Sequence, residues 1–113
     1  MQLCRVEGRV WGTQRSPGLE GLTLLEVRPA RFPDAVKLRY DKDRGESNLA
    51  WAEQTVVAAD RLGAGVGELV LVANGSRVRD VVFDDRTPVK TVVVAIVDRA
   101  EEAPTGEPSE EPR

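Results

Sequence analysis

The segment that most constrains the fold of this chain is residues 91–97, which read TVVVAIV and are apolar on both faces. Successive side chains of a β-strand point to opposite faces. The two sets are Val92, Val94 and Ile96, and Val93, Ala95 and Val97. A strand in a single-layer barrel has one face inside and one outside, so the outer face needs a cover. The chain has no long helical pattern to provide it. A neighbouring subunit is the simplest cover, and a loop of the same chain is the alternative.

Four further segments are predicted to be strands, at residues 4–10, 22–27, 55–59 and 68–73. The first alternates charged and apolar residues, which places Cys4, Val6 and Val10 on a core face. Pro29 is expected to end the second strand, and the Asn74-Gly75 turn the fourth. Five short strands with glycine at the corners predict an all-β fold. We expect a small five-stranded OB-like β-barrel, with a short helical turn after Gly75.

The length of 113 residues predicts a single domain, at residues 1–100. Residues 31–54 form an extended charged connection, which is long for a compact domain without structure of its own. Part of it is expected to be a hairpin that turns near Asp43-Arg44-Gly45. Residues 101–113 are acidic and rich in proline, so we predict a disordered tail.

The residue types that are missing exclude several function classes. The chain has no histidine and one cysteine, Cys4, which removes histidine-dependent nucleophilic catalysis and most zinc, iron and copper sites. We therefore predict no catalytic residue, no metal and no cofactor. Cys4 lies in an alternating apolar series and is expected to be buried. No apolar run approaches the ~20 residues of a membrane span, and no signal peptide is recognisable, which favours the cytoplasm.

Charge and aromatic placement argue against a nucleic-acid partner. Five of the 19 acidic residues lie from Glu101 onward with a single basic residue, so residues 1–100 are about neutral. The aromatic residues are scattered across predicted strands and loops with no basic-aromatic interleaving, so packing roles are preferred to base stacking. They are Trp11, Phe32, Tyr40, Trp51 and Phe83.

Two short motifs resemble ligand sites only superficially. Gly63-Ala64-Gly65-Val66-Gly67 lacks the spacing of a dinucleotide fingerprint, because Glu68 and a predicted strand follow it. A tight turn with glycine at positive φ is the preferred interpretation. Asp84-Asp85 could hold a hard cation, but adjacent acids before Arg86-Thr87-Pro88 are typical of a solvated turn.

Three stretches together resemble the EutN/CcmL family, the pentameric vertex proteins of carboxysomes and metabolic microcompartments. They are MQLCRVEGRVWGTQRSPGLEGLTLLEV, VVAADRLGAGVGELVLVANGSRVR and PVKTVVVAIVDRA. The family pattern includes "L-x-G-x-x-L-L", "V-A-x-D-x-x-G-A-G-x-G-E-x-V-L-V", "G-S-x-A-R" and "P-V-D-x-x-V-V-x-I-V-D". The chain departs from it at Arg77, Val78 and Lys90, and in a longer 31–54 connection.

The resemblance implies a cyclic homopentamer that forms the vertex cap of a microcompartment shell, with hexameric and pseudohexameric shell proteins as partners. It suggests that Asp60, Gly63, Ala64 and Gly65 lie near the fivefold axis. Residues 92–97 are the expected subunit-interface strand, and the expected shell contacts are Arg15, Arg77 and Arg79. An OB-type module that binds nucleic acid or oligosaccharide is the alternative function, and salt-dependent binding of single strands would identify it.

Overall fold

A computed structural model describes residues 1–11, 22–31, 37–75 and 90–101. These residues form nine β-strands and no helix. The strands are β1 Gln2–Val10, β2 Thr23–Arg31, β3 Arg39–Asp41, β4 Glu46–Ser47, β5 Ala50–Trp51, β6 Val56–Asp60, β7 Leu69–Asn74, β8 Thr91–Val97 and β9 Arg99–Glu101. The helical turn expected after Gly75 falls outside the described residues.

Five strands close into a barrel in the order β1-β7-β8-β6-β2, because β2 also pairs with β1. The neighbours are antiparallel except for β6 and β8, which run parallel at Ala59 and Val92. The prediction of a five-stranded OB-like barrel is therefore confirmed. Its interior holds a cluster of small and branched apolar side chains, among them Cys4, Val6, Leu25, Val27, Val70, Val72 and Val93.

A β-bulge at Glu7 changes which side chains of β1 enter the core. The register of β1 against β2 shifts between Val6 and Gly8, so one residue of β1 is left without a partner. Cys4 and Val6 are fully buried as the alternation predicts. Beyond the bulge the parity reverses, and Val10 pairs with Leu24 on the outside of the barrel. The prediction that Val10 faces the core is wrong.

Strand β2 does not end at Pro29 as the sequence suggested, but continues to Arg31. The Pro29 carbonyl oxygen accepts the Ala52 N–H at 2.9 Å, on the side of β2 where β5 follows. The N–H and C=O of one strand residue point to the same side, so the missing N–H of proline removes nothing from the ladder with β1. β6 pairs only up to Val27, and β5 begins at Ala30. Proline therefore occupies a gap between two partners.

Strand β8 also contains an irregularity, which breaks its strict two-face pattern. Its register against β7 shifts where Leu71 pairs with Ala95 and Val72 pairs with Val93. Val92 and Val93 precede this shift and point to opposite faces, and the single chain buries both of them. Residues 94–97 are half-buried, and Ile96 packs against the core. The extra residue Val94 places Ile96 on the same core face as Val93, so side-chain alternation alone does not describe this strand.

The charged connection is a built structure and not a loose loop. β3 and β4 form the expected hairpin, whose turn spans residues 42–45. β9 pairs with the other edge of β3, which gives a second sheet in the order β4-β3-β9. β5 extends the barrel sheet by pairing with the end of β2. Among the described residues, no helix has the length and apolar character that spanning a membrane would require.

Candidate functional site

The candidate site is the glycine loop, defined here as residues 60–68, which leaves β6 and enters β7. Its first residue, Asp60, is a buried carboxylate with 2% of its surface exposed. Asp60 Oδ1 accepts the N–H of Leu62 at 2.9 Å, and Oδ2 accepts those of Gly63 and Ala64 at 3.1 and 2.9 Å. A buried charge is tolerated where hydrogen bonds satisfy it, as they do here.

Glu68 holds the other end of the glycine loop. Its Oε1 accepts the Gly65 N–H at 2.6 Å, and Lys42 Nζ lies 3.3 Å from its Oε2. The Gly65 N–H first, and then Lys42, hold the pKa of the Glu68 carboxyl below its ordinary value. Four consecutive backbone N–H groups, at residues 62–65, thus donate to two carboxylates of the same chain.

This arrangement explains why the glycine cluster is not an anion site. Converging backbone N–H groups form a concavity that can hold a phosphate or another anion. Here Asp60 and Glu68 already occupy those donors. Gly63 and Gly67 have φ of 81° and 91°, so glycine supplies the left-handed backbone that the turn requires. The interpretation of the cluster as a tight turn is confirmed.

The glycine loop is also fixed to the barrel. The Gly67 N–H donates to the Val6 carbonyl oxygen at 2.8 Å, and the Val6 N–H donates to that of Glu68 at 3.0 Å. Ala64, 1% exposed, belongs to the core cluster. Of the predicted axis residues, Asp60 and Ala64 therefore face inward. The exposed apolar residues of the loop are Leu62 and Val66, neither of which was a predicted site residue.

A second cluster ties the connection to the outside of the barrel. Glu7 Oε1 accepts Arg5 at 2.9 Å and Arg28 Nε at 2.6 Å. These two guanidinium groups, Arg5 before Arg28, hold the pKa of Glu7 below its ordinary value. Arg28 also donates to the carbonyl oxygens of Ala52 and Glu53, each at 2.8 Å. The Arg5 guanidinium lies 4.3 Å from the centre of the Trp51 ring. This contact is compatible with the packing role expected of Trp51.

The structure also tests the roles predicted for Cys4, for Trp11 and for possible metal ligands. Cys4 is buried, and desolvation raises the pKa of its thiol to about 11, so it is not a nucleophile at neutral pH. Trp11 is 79% exposed, which does not fit the packing role expected of it. The described residues contain no group of three or more acidic or cysteine side chains able to hold a metal ion. Some residues predicted to be shell contacts, packing aromatics or a solvated acidic turn fall outside the described ranges. They are Arg15, Phe32, Arg77, Arg79, Phe83, Asp84 and Asp85.

Comparison with known proteins agrees with this geometry. Residues 1–98 match the family model described as ethanolamine utilisation protein EutN/carboxysome. The chain is 42% identical over 98 residues to the bacterial microcompartment shell vertex protein PduN of Salmonella typhimurium, covering 87% of this chain and 96% of PduN.

Solved structures of similar proteins have the same fold. The GrpN pentameric microcompartment shell protein from Rhodospirillum rubrum superposes with a TM-score of 0.64 at 29% identity, covering 91% of this chain and all of that one. CcmL of Gloeobacter violaceus superposes with a TM-score of 0.65 at 34% identity, covering 87% and 86% of the two chains. This chain belongs to the EutN/CcmL family of bacterial microcompartment shell vertex proteins.

Proposed function

We propose that five copies of this chain form a ring that closes the vertices of a microcompartment shell. The carrying observation is that one family model spans residues 1–98, while a pentameric shell protein superposes over 91% of the chain. The function is structural. A flat layer of hexagonal tiles cannot close into a polyhedron without fivefold points, and a cyclic ring of five identical subunits supplies one.

The glycine loop is our proposed element near the fivefold axis. Asp60, Gly63, Ala64 and Gly65 supply small or inward-facing side chains along its turn. At these four positions, small or inward-facing side chains would allow five copies of the loop to approach one another closely. The hydrogen bonds to Asp60 and Glu68 keep the loop in one conformation before assembly.

Strand β8 is our proposed interface strand, with its two halves in different roles. Val92 and Val93 are already buried in their own subunit, so they support the barrel. Val94, Ala95 and Val97 remain half-buried, so part of their apolar surface is available to a neighbour, whereas Ile96 packs against the core. This division agrees with an apolar strand that a single chain covers only in part.

We further propose hexameric and pseudohexameric shell proteins as the lateral partners, with Arg15, Arg77 and Arg79 as contact residues. We also propose that the chain is not an enzyme. In support, the carboxylates with a lowered pKa, Glu7 and Glu68, hold strands and a loop in place. The relatives are named as vertex proteins, which favours the shell role over nucleic-acid or oligosaccharide binding.

Co-expression with the cognate hexameric shell proteins tests this function. We expect closed polyhedral particles when the chain is present, and sheets, tubes or particles with open corners when it is left out. Electron microscopy and leakage of an encapsulated reporter distinguish the two results. A monomeric wild-type protein in native mass spectrometry, or equally closed particles with and without the chain, would contradict the proposal.

A further inference from the structure

Four of the seven exposed large apolar side chains of the described residues lie on two separate surfaces. One is the tip of the glycine loop, where Leu62 is 50% exposed and Val66 is 64% exposed. The other, which we call the outer patch, consists of the exposed Val10 and Val57 and the half-buried Leu24 on the outside of β1, β2 and β6. Strongly exposed apolar side chains elsewhere in the described ranges are those of Met1 and Val56, together with Trp11 directly after the patch.

The tip of the glycine loop is rigid in a way that suits binding. Ala64, between Leu62 and Val66, is inserted into the core, so the two apolar side chains flank an anchored residue. Four N–H groups of the loop are fixed by Asp60 and Glu68. A contact made by a preorganised segment loses little conformational entropy on association. Exposed apolar side chains on such a segment are typical of an interaction site.

Strand register places the three residues of the outer patch on one face of the barrel, with the exposed Glu26 beside Val57. Val10 pairs with Leu24, which pairs with Ala59, and Gly8 pairs with Glu26, which pairs with Val57. Side chains of directly paired residues lie on the same face of a sheet, so Val10, Leu24 and Val57 point outward together. Gly8 has no side chain, and the Glu26 carboxylate lies next to it, since an added Cβ would be 3.9 Å from Glu26 Oε1.

We propose that the tip of the glycine loop, through Leu62 and Val66, packs onto the outer patch of the adjacent copy of this chain. The inference rests on the proposed pentamer. A ring closed by heterologous contacts requires two different complementary surfaces on every subunit. The two apolar surfaces described above meet that requirement, and a pentameric shell protein covers 91% of this chain in superposition. The occupant of the outer patch is thus a second copy.

Charge substitutions on each surface test the contact. The loop variant carries Leu62→Glu with Val66→Glu, and the face variant carries Val57→Glu. Gln54→Glu adds one charge at an exposed position of the connection and serves as the control. We expect native masses of five times the 12.4 kDa chain for wild type and control, and of one chain for both variants. Circular dichroism and cooperative urea unfolding establish that the monomers are folded. Serine replaces glutamate in any variant that is not.

Mixing the two variants distinguishes this contact from a general loss of assembly. The loop variant keeps an intact outer patch, and the face variant keeps an intact loop, so one productive contact remains between them. We expect a heterodimer of twice the chain mass and no larger species. A folded variant that stays pentameric, or a mixture without heterodimer at concentrations where wild type is fully pentameric, would overturn the proposed contact. A wild-type protein that is not pentameric would instead overturn the proposed function.

Discussion

The glycine loop and the connection of residues 37–54 both leave the barrel, but different forces hold them. The glycine loop is fixed by buried or part-buried hydrogen bonds from backbone N–H groups to Asp60 and Glu68. The connection is held by arginine side chains of the barrel strands. Arg28 donates to two of its carbonyl oxygens, and Arg5 lies over the ring of Trp51. Its own ion pairs are largely exposed, such as Arg39 with Glu46 at 3.7 Å.

The difference indicates what each region tolerates. A buried carboxylate that satisfies three N–H groups cannot be removed without leaving those donors unpaired. Exposed ion pairs contribute little and are screened by salt. We therefore expect the glycine loop to be intolerant of substitution at its acceptors. The connection should tolerate change except at its arginine anchor.

The largest loss of stability is expected from Asp60→Ala. Three backbone N–H groups of the glycine loop lose their acceptor, and unpaired buried groups cost about 1–3 kcal/mol each. Because such costs are not additive, we expect a loss of roughly 3 kcal/mol or more in the free energy of unfolding, with loss of the ring. Urea unfolding at fixed protein concentration measures the first, and native mass spectrometry the second.

Asp43→Ala is the matched control, because Asp43 lies exposed in the turn of the β3–β4 hairpin. Its removal should change the free energy of unfolding by less than about 0.5 kcal/mol. Asp60→Asn keeps one side-chain acceptor oxygen and should fall between the two. A pentameric Asp60→Ala protein of wild-type stability would show that the loop does not depend on its internal acceptors.

An intermediate effect is expected from Arg28→Ala in the anchor of the connection. The change removes the ion pair with Glu7 at 2.6 Å and two hydrogen bonds to carbonyl oxygens. We expect a loss of about 2 kcal/mol, measured by urea unfolding. Amide hydrogen exchange should rise in residues 48–54 and stay unchanged in the glycine loop. Faster exchange in both regions to the same extent would show that the glycine loop and the connection are not held independently.

Arg28→Lys keeps the charge and is the control for geometry. Lysine cannot reproduce the fork of a guanidinium that reaches Glu7 and two carbonyl groups together. We expect it to recover only part of the lost stability. Full recovery would mean that charge near Glu7, and not the bonds to Ala52 and Glu53, anchors the connection.

A smaller loss of stability is expected when β9 is removed. Comparing two truncations separates the role of β9, which supports the connection, from that of the C-terminal tail. A chain that ends after Asp98 loses β9, which is the edge partner of β3. We expect this truncation to cost about 1 kcal/mol through the lost ladder hydrogen bonds, and to raise hydrogen exchange in residues 39–41. A chain that ends after Glu101 keeps β9, and we propose that residues 102–113 are not needed for the ring. Loss of the pentamer in this longer chain would show that the tail contributes to assembly.

The barrel strands were predictable because each carries its own apolar pattern. TVVVAIV and LVLVAN are recognisable without knowledge of their partners. The bulge at Glu7 was not, because register depends on the partner strand. Gly8 beside it was a usable signal, since glycine on the apolar parity indicated a bend. Pro29 was misjudged because its missing N–H matters only if a neighbouring strand needs it.

The connection and the loop show the other limit of sequence reasoning. β5 and β9 have two and three residues, too few for any periodicity, and they exist because β2 and β3 offer open edges. The glycine cluster correctly indicated a turn. The cluster did not reveal that Asp60 and Ala64 point inward. A signal for the exposed tip was present, because Leu62 and Val66 are large apolar residues in a segment otherwise made of small and charged ones.

The smallest effect concerns the ion pair that joins the two regions, between Lys42 of the connection and Glu68 of the glycine loop. The side chain of Lys42 is half exposed, so we expect a small but measurable coupling in a double-mutant cycle of Lys42→Met and Glu68→Gln. The coupling should shrink at roughly 1 M salt, where the Debye length is about 3 Å. The stability lost in Asp60→Ala should not change in the same way.

The pH dependence of this pair has a definite sign. The pKa of Glu68 is lowered from 4.5, so its contribution is present above pH 4.5 and is lost as the pH falls through the folded-state pKa. The pKa of Lys42 is raised from 10.5, first by its hydrogen bond to Glu68, so its contribution is lost as the pH rises through the folded-state pKa. Coupling should therefore be constant between about pH 5 and pH 10 and fall on both sides. A coupling energy that changes within that window, or that salt leaves untouched, would mean that another contact joins the loop to the connection.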